Sequence, residues 1–113
     1  MFKRRHSDRF KIPGAQVLYK LENDVSAQTT LINMTKNSVC FEVEHPIKIG
    51  YIIELEIIIP EKDIINVKGN IVWTSTSYAV VQFLAFGTDE RCNSMHCLKQ
   101  LNQLAEEYLQ LVE

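Results

Sequence analysis

Between Ala15 and Phe86 apolar residues recur at every second position, a period that places alternate side chains on opposite faces of an extended strand. Val17, Tyr19 and Leu21 share one parity, Val39, Phe41 and Val43 another, and Ile53, Leu55, Ile57 and Ile59 a third. Ile65, Val67, Ile71 and Trp73 fall on one face of the next run, with Asn66, Lys68 and Asn70 opposite. Gly69, on the apolar face, marks a bulge or sharp bend. Tyr78 to Phe86 is nearly all apolar, the pattern of a strand covered on both sides. Turn-forming clusters punctuate these runs at Glu22-Asn23-Asp24, Thr35-Lys36-Asn37-Ser38, His45-Pro46, Pro60-Glu61-Lys62-Asp63 and Ser75-Thr76-Ser77. Six short strands result. Regular spacing with polar turns favours a closed antiparallel barrel, because closure removes exposed strand edges.

After Gly87 the period changes. Thr88 is a candidate N-cap, with Asp89 and Glu90 suited to the positive end of a helix dipole. Leu98, Leu101, Ala105, Tyr108 and Val112 then recur three and four apart, flanked by Leu104, Leu109 and Leu111, which predicts a helix over about 88–112 with a wide apolar stripe. Such a stripe needs a partner surface. Packing on the chain's own barrel is favoured over a helix-mediated dimer, because a heptad seam persists for about three or more heptads; monomer and homodimer both stay open. The expected class is mainly β, a six-stranded antiparallel barrel with a C-terminal α-helix. The 113 residues suffice for one core, divided into a basic arm over 1–14 and the barrel with its helix over 15–113.

The residues that could support chemistry are scattered. His6, His45 and His96 fall in the arm, at a turn and on the predicted helix. His96 and Cys97 are helix neighbours pointing roughly 100° apart, so they do not converge on a metal. Cys40, Cys92 and Cys97 match no zinc or redox spacing and read as reduced thiols. No nucleophile–base signature and no glycine-rich phosphate loop is present, so no enzyme, no metal and no cofactor are expected. The apolar stretch from Tyr51 to Pro60 is broken by Glu54 and Glu56 and is short of the ~20 residues of a membrane helix. Without a secretory signal, the expected location is cytoplasmic and no membrane insertion is expected.

The net charge of −2 conceals an asymmetry, because Lys3, Arg4, Arg5, Arg9 and Lys11 crowd the first eleven residues against Asp8 alone. Arg5 and Arg9, four apart, can converge on one ligand if the arm folds back over the barrel. A guanidinium makes bidentate, charge-assisted hydrogen bonds to phosphate and stacks on purine faces. Downstream, Asn33-Met34-Thr35-Lys36-Asn37-Ser38 presents an amide and hydroxyls able to read the edge of a base. The acidic overall balance and the inward parity of most aromatics argue against a nucleic acid polymer as the ligand.

Together these segments resemble the PilZ domain, a bacterial receptor for the second messenger cyclic di-GMP. Its Arg-x-x-x-Arg motif is matched by Arg5 and Arg9 with Arg4 preceding. Its second motif, Asp or Asn, any residue, Ser, two residues, Gly, falls on Asn33, Thr35 and Ser38. The family's Val-Trp, turn, Val-x-Phe pattern is matched by Val72-Trp73 and Val81-Gln82-Phe83. The resemblance implies a barrel of six strands followed by a helix. It further implies that Arg5 and Arg9 bind the phosphates and stack on guanine, that Asn33 hydrogen-bonds a guanine base, and that Thr35 stands for the usual Ser, with Arg4 and Lys36 as supporting cations. Ligand binding would then order the arm and change the surface offered to a downstream protein. Two positions depart from the pattern: Ser38 replaces the motif Gly, and Val80 replaces the Gly usual before Val-x-Phe. They motivate an alternative, a degenerate PilZ-like adaptor that binds protein partners without cyclic di-GMP.

Overall fold

The computed structural model describes residues 9–21, 26–87 and 91–110. Six strands form, β1 (Gln16–Lys20), β2 (Ser26–Met34), β3 (Ser38–Glu42), β4 (Ile52–Ile58), β5 (Ile65–Thr74) and β6 (Tyr78–Phe83), followed by one helix, α1 (Met95–Gln110). The strands close into an antiparallel barrel in the order β1-β2-β3-β6-β5-β4, with β4 completing the circuit on β1.

The period-two pattern fills the interior as expected. Val17, Tyr19, Val39, Phe41, Leu55, Ile57, Val67, Ala79 and Val81 are buried, and the rings of Tyr19 and Phe41 lie 5.4 Å apart at the centre. β6 departs from the expectation of a doubly covered strand. Tyr78 and Gln82 are exposed while Ala79, Val81 and Phe83 are buried, so only one face meets the core.

Gly69 also differs from expectation. It keeps regular register, opposite Ile53 on β4 and Phe83 on β6, and a Cβ there would lie within 2.4 Å of the Gln82 carbonyl oxygen. Glycine serves close strand approach at this position, not a bend. The irregularity in β5 falls later, between Ile71 and Trp73, and a second lies between Leu31 and Asn33 in β2.

The helix starts at Met95, and Thr88, Asp89 and Glu90 lie outside the described residues. Its cap is Ser94, whose Oγ accepts from the Cys97 N–H at 3.2 Å. Just before it, buried Asn93 takes a left-handed backbone conformation, φ 56°, and bonds to β5, which keeps the helix from beginning earlier. The apolar stripe joins the barrel core through Cys97, Leu101, Leu104 and Ala105, with Tyr108 and Leu109 packed against the same core. Phe10 and Ile12 join that core from the N-terminal side.

Candidate functional site

A β-bulge inserts one residue and thereby reverses which face the following side chains occupy. In β2, Ala27, Thr29 and Leu31 point inward, so strict alternation would bury Asn33. The irregularity after Leu31 turns Met34 into the core, fully buried, and leaves Asn33 half-buried on the outer wall. In β5 the same device acts on Trp73. The sequence pattern places it inward with Ile65, Val67 and Ile71, but the irregularity turns it out to 49% exposure.

The two redirected residues end one row. Asn33 pairs with Cys40 on β3, Cys40 with Val80 on β6, and Val80 with Trp73 on β5. Three strand spacings separate the ends, roughly 14 Å. The row is a shallow strip of wall with an amide at one end and an indole at the other. Sequence reading assigned no site role to Cys40 or Trp73; the only signal for Trp73 was its place in the Val-Trp pattern.

Arg9 lies over the Asn33 end. Phe10 forms an isolated bridge with Met34, donating its N–H to the Met34 carbonyl at 2.8 Å and accepting the Met34 N–H at 2.9 Å. This fixes the backbone beside Arg9, whose exposed guanidinium donates from Nη1 to Asn33 Oδ1 at 3.0 Å. The structure therefore brings together the second arginine of the arm and the first residue of the downstream motif. Burial pushes the Cys40 thiol above its ordinary pKa, and the nearby Arg9 charge pulls it part of the way back. Arg4 and Arg5 lie outside the described residues.

The turn after Asn33 uses its hydroxyls differently from one another. Thr35 is buried, and its Oγ1 accepts the N–H groups of Asn37 and Ser38, both at 3.0 Å, while its own N–H donates to the Ser38 carbonyl at 2.8 Å. With both lone pairs used, Thr35 is the donor in its 3.1 Å contact with Ser38 Oγ. Ser38 is half-buried at the outer edge of the turn. The β5–β6 turn repeats this construction, with Ser75 Oγ accepting from Ser77 N–H at 3.2 Å and Tyr78 N–H at 3.1 Å, which identifies it as turn chemistry. Lys36 is exposed at the tip. Neither Asn37 nor Ser38 adopts a positive φ; among described non-glycine residues Glu61 and Asn93 do. Ser38 thus carries no backbone strain from replacing a glycine.

Among the described residues no group of three His, Cys, Asp or Glu side chains is placed to hold a metal, and no helix is long and apolar enough to cross a membrane.

No protein-family model matches the sequence, and no curated protein matches it. Solved structures do. The PilZ domain of YcgR from Escherichia coli, determined with c-di-GMP, superposes with a TM-score of 0.76 at 14% identity, covering 97% of this chain and 95% of that one. The Bacillus subtilis inhibitor of motility, MotI/DgrA, gives 0.72 at 15% identity over 99% of this chain and 53% of that one. The PilZ domain of CeSA from a cellulose-synthesizing bacterium gives 0.62 at 10% identity, covering 89% and 97%. At these identities the likeness is one of fold. Six antiparallel strands closed in a barrel, a single C-terminal helix and near-complete mutual coverage with the YcgR domain make this chain a PilZ-type barrel.

Proposed function

We propose that this chain binds cyclic di-GMP on the outer wall of the barrel and relays its presence to a partner protein. The observation that carries the reading is the Arg9–Asn33 hydrogen bond, which joins two segments 24 residues apart over a strip able to take a flat, doubly charged ligand. Arg9, with Arg5 and Arg4 from the arm, supplies phosphate-binding guanidinium groups. Asn33 supplies an amide for a guanine edge, Ser38 a hydroxyl proton, and Lys36 a further cation. Thr35 acts through the turn it builds. Trp73 offers a π face at the far end of the row. A solved relative of the same fold contains the ligand.

Calorimetric titration with cyclic di-GMP, with GMP as the control, tests this. Saturable binding at micromolar concentration or tighter supports a receptor; no heat at millimolar ligand rejects it. Cys40 maps the site independently. Its raised pKa keeps the thiolate scarce at neutral pH, so alkylation there is slow and accelerates as the pH rises. Bound ligand lying along the row should protect it further, and an alkylation rate indifferent to saturating ligand would place the ligand elsewhere.

The adaptor reading rests on a different observation. Ile49, Tyr51, Ile52 and Val72 are 60%, 52%, 56% and 42% exposed, where the segment leading into β4 bonds through Gly50 and Tyr51 to Ile71 of β5, and exposed apolar side chains gathered in this way suit a protein partner. The helix stripe is not that surface, because Leu101, Leu104 and Ala105 are buried against the barrel.

Of the two departures from the glycine pattern, Val80 is the consequential one. Its side chain stands in the row between Cys40 and Trp73, where a ligand would lie flat against the strands. Val80→Gly should tighten cyclic di-GMP binding by about threefold to tenfold, despite a fold cost of roughly 1 kcal/mol. Ser38→Gly relieves no strain and removes a hydroxyl, so its affinity should be equal or weaker. The reverse ranking would overturn this assignment of the two positions.

A further inference from the structure

We infer that helix α1 holds Arg9 in place through Tyr108 and Phe10, so that Tyr108 is a positioning residue for a ligand it does not touch. The inference rests on the reading of the site above.

The arm meets β2 next to Asn33 at the Phe10–Met34 bridge. Its backbone is tied to β2 by the Phe10–Met34 bridge, and Arg9 itself is exposed. Ordering the backbone costs more conformational entropy than one exposed side-chain hydrogen bond returns. Burial of Phe10, 2% exposed, offsets the cost beside Arg9, with Ile12, 4% exposed, anchoring the chain two residues further on. The Phe10 ring is stacked on Tyr108, with centroids 6.4 Å apart and planes 9° from parallel. Tyr108 belongs to the last turn and a half of α1, whose stripe residues Leu101, Leu104 and Ala105 share the same core cluster.

A chain of contact therefore runs from α1 to Tyr108, to Phe10, to the backbone of Arg9, and to Asn33. A ligand clamped between Arg9 and Asn33 adds a second tie across the Phe10–Met34 bridge and so favours the docked helix. By linkage, loosening the helix weakens the ligand by the same factor.

Hydrogen exchange and calorimetry on the full chain test the inference, with Tyr108→Ala against Tyr108→Phe, which keeps the ring. Without ligand, Tyr108→Ala should speed exchange of the Phe10 and Met34 amides by at least about tenfold, while amides in the middle of β5 stay protected and Tyr108→Phe behaves as wild type. Wild-type exchange at the two bridge amides in Tyr108→Ala overturns the helix's hold on the arm. With cyclic di-GMP, Tyr108→Ala should bind about threefold to tenfold more weakly and Tyr108→Phe normally. Equal affinity in Tyr108→Ala overturns the positioning role. If wild type binds no cyclic di-GMP the receptor reading fails by itself, and the ligand-free exchange still decides whether α1 holds the arm.

Discussion

Replacing Arg9 with alanine is expected to weaken cyclic di-GMP binding by at least about tenfold, a loss of roughly 1.4 kcal/mol or more, with the stability of the fold almost unchanged. Arg9 is exposed, and its hydrogen bond to Asn33 is exposed as well, so losing it should cost no more than about 0.5 kcal/mol of stability. A ligand clamped on the same guanidinium loses charge-assisted bonds that water replaces only in part. Arg9→Lys tells the contributions apart. Lysine keeps the charge but lacks the planar fork and cannot stack on a purine. If geometry dominates, Arg9→Lys should bind nearly as poorly as Arg9→Ala; if charge dominates, it should recover most of the affinity and lose it as salt rises. Undiminished binding by Arg9→Ala would remove the arm from the site.

The barrel was legible because burial enforces a period of two. Val17 and Tyr19, Val39 and Phe41, Leu55 and Ile57 all face the core as their parity required. The row that carries the candidate site was not legible, because its two ends are made by breaks in that same period. A single inserted residue costs the sequence no distinctive residue type. The mark left in β2 is a polar Asn33 at an inward parity followed by Met34 at an outward one. In β5 there is less: Trp73 is apolar and continues the inward series of Ile65, Val67 and Ile71, so alternation alone buries it. The contacts that placed it outside are the register shifts against β6, which depend on a strand later in the chain.

The motif residues raise a related point. Residue type shows that Thr35 and Ser38 both carry hydroxyls, but their availability depends on a count of lone pairs in the folded turn. Thr35 spends both acceptor sites on Asn37 and Ser38 N–H groups, whereas Ser38 retains its proton. Glycine is read similarly. The φ at Ser38 is ordinary, so the missing glycine has no conformational consequence there, while Val80 adds volume on the wall itself. Gly69, which suggested a bend, is present because the Gln82 carbonyl approaches too closely for any side chain.

The largest effect on stability is expected at Asn93, which neither a motif nor the hydrophobic pattern singles out. It is 2% exposed, and its carboxamide bonds like a short piece of strand. Oδ1 accepts from Lys68 N–H at 2.6 Å, and Nδ2 donates to the carbonyls of Lys68 at 3.1 Å and Leu84 at 3.0 Å. Its backbone N–H donates to Asn66 and its carbonyl accepts from Gly87. Asn93→Ala removes all three side-chain bonds in a buried place and leaves an alanine at φ 56°, a conformation that asparagine tolerates better. The sum is about 3 kcal/mol, a fall of roughly 10–20 °C in Tm. Asn93→Asp should be worse at neutral pH, since it keeps the acceptor but turns a carboxylate oxygen toward two carbonyls. Burial and repulsion raise the folded pKa of that new acid above its unfolded value near 3.9. Its deficit relative to wild type should therefore shrink as pH falls below the folded pKa and grow as pH rises through it. Thermal melts from pH 4 to pH 8 measure both effects. Wild-type melting of Asn93→Ala would mean that helix packing alone holds the β6–α1 connection. Loss of stability as expected would make the bonds of Asn93 to Lys68 and Leu84 a main tie between the sheet and the segment that leads into α1.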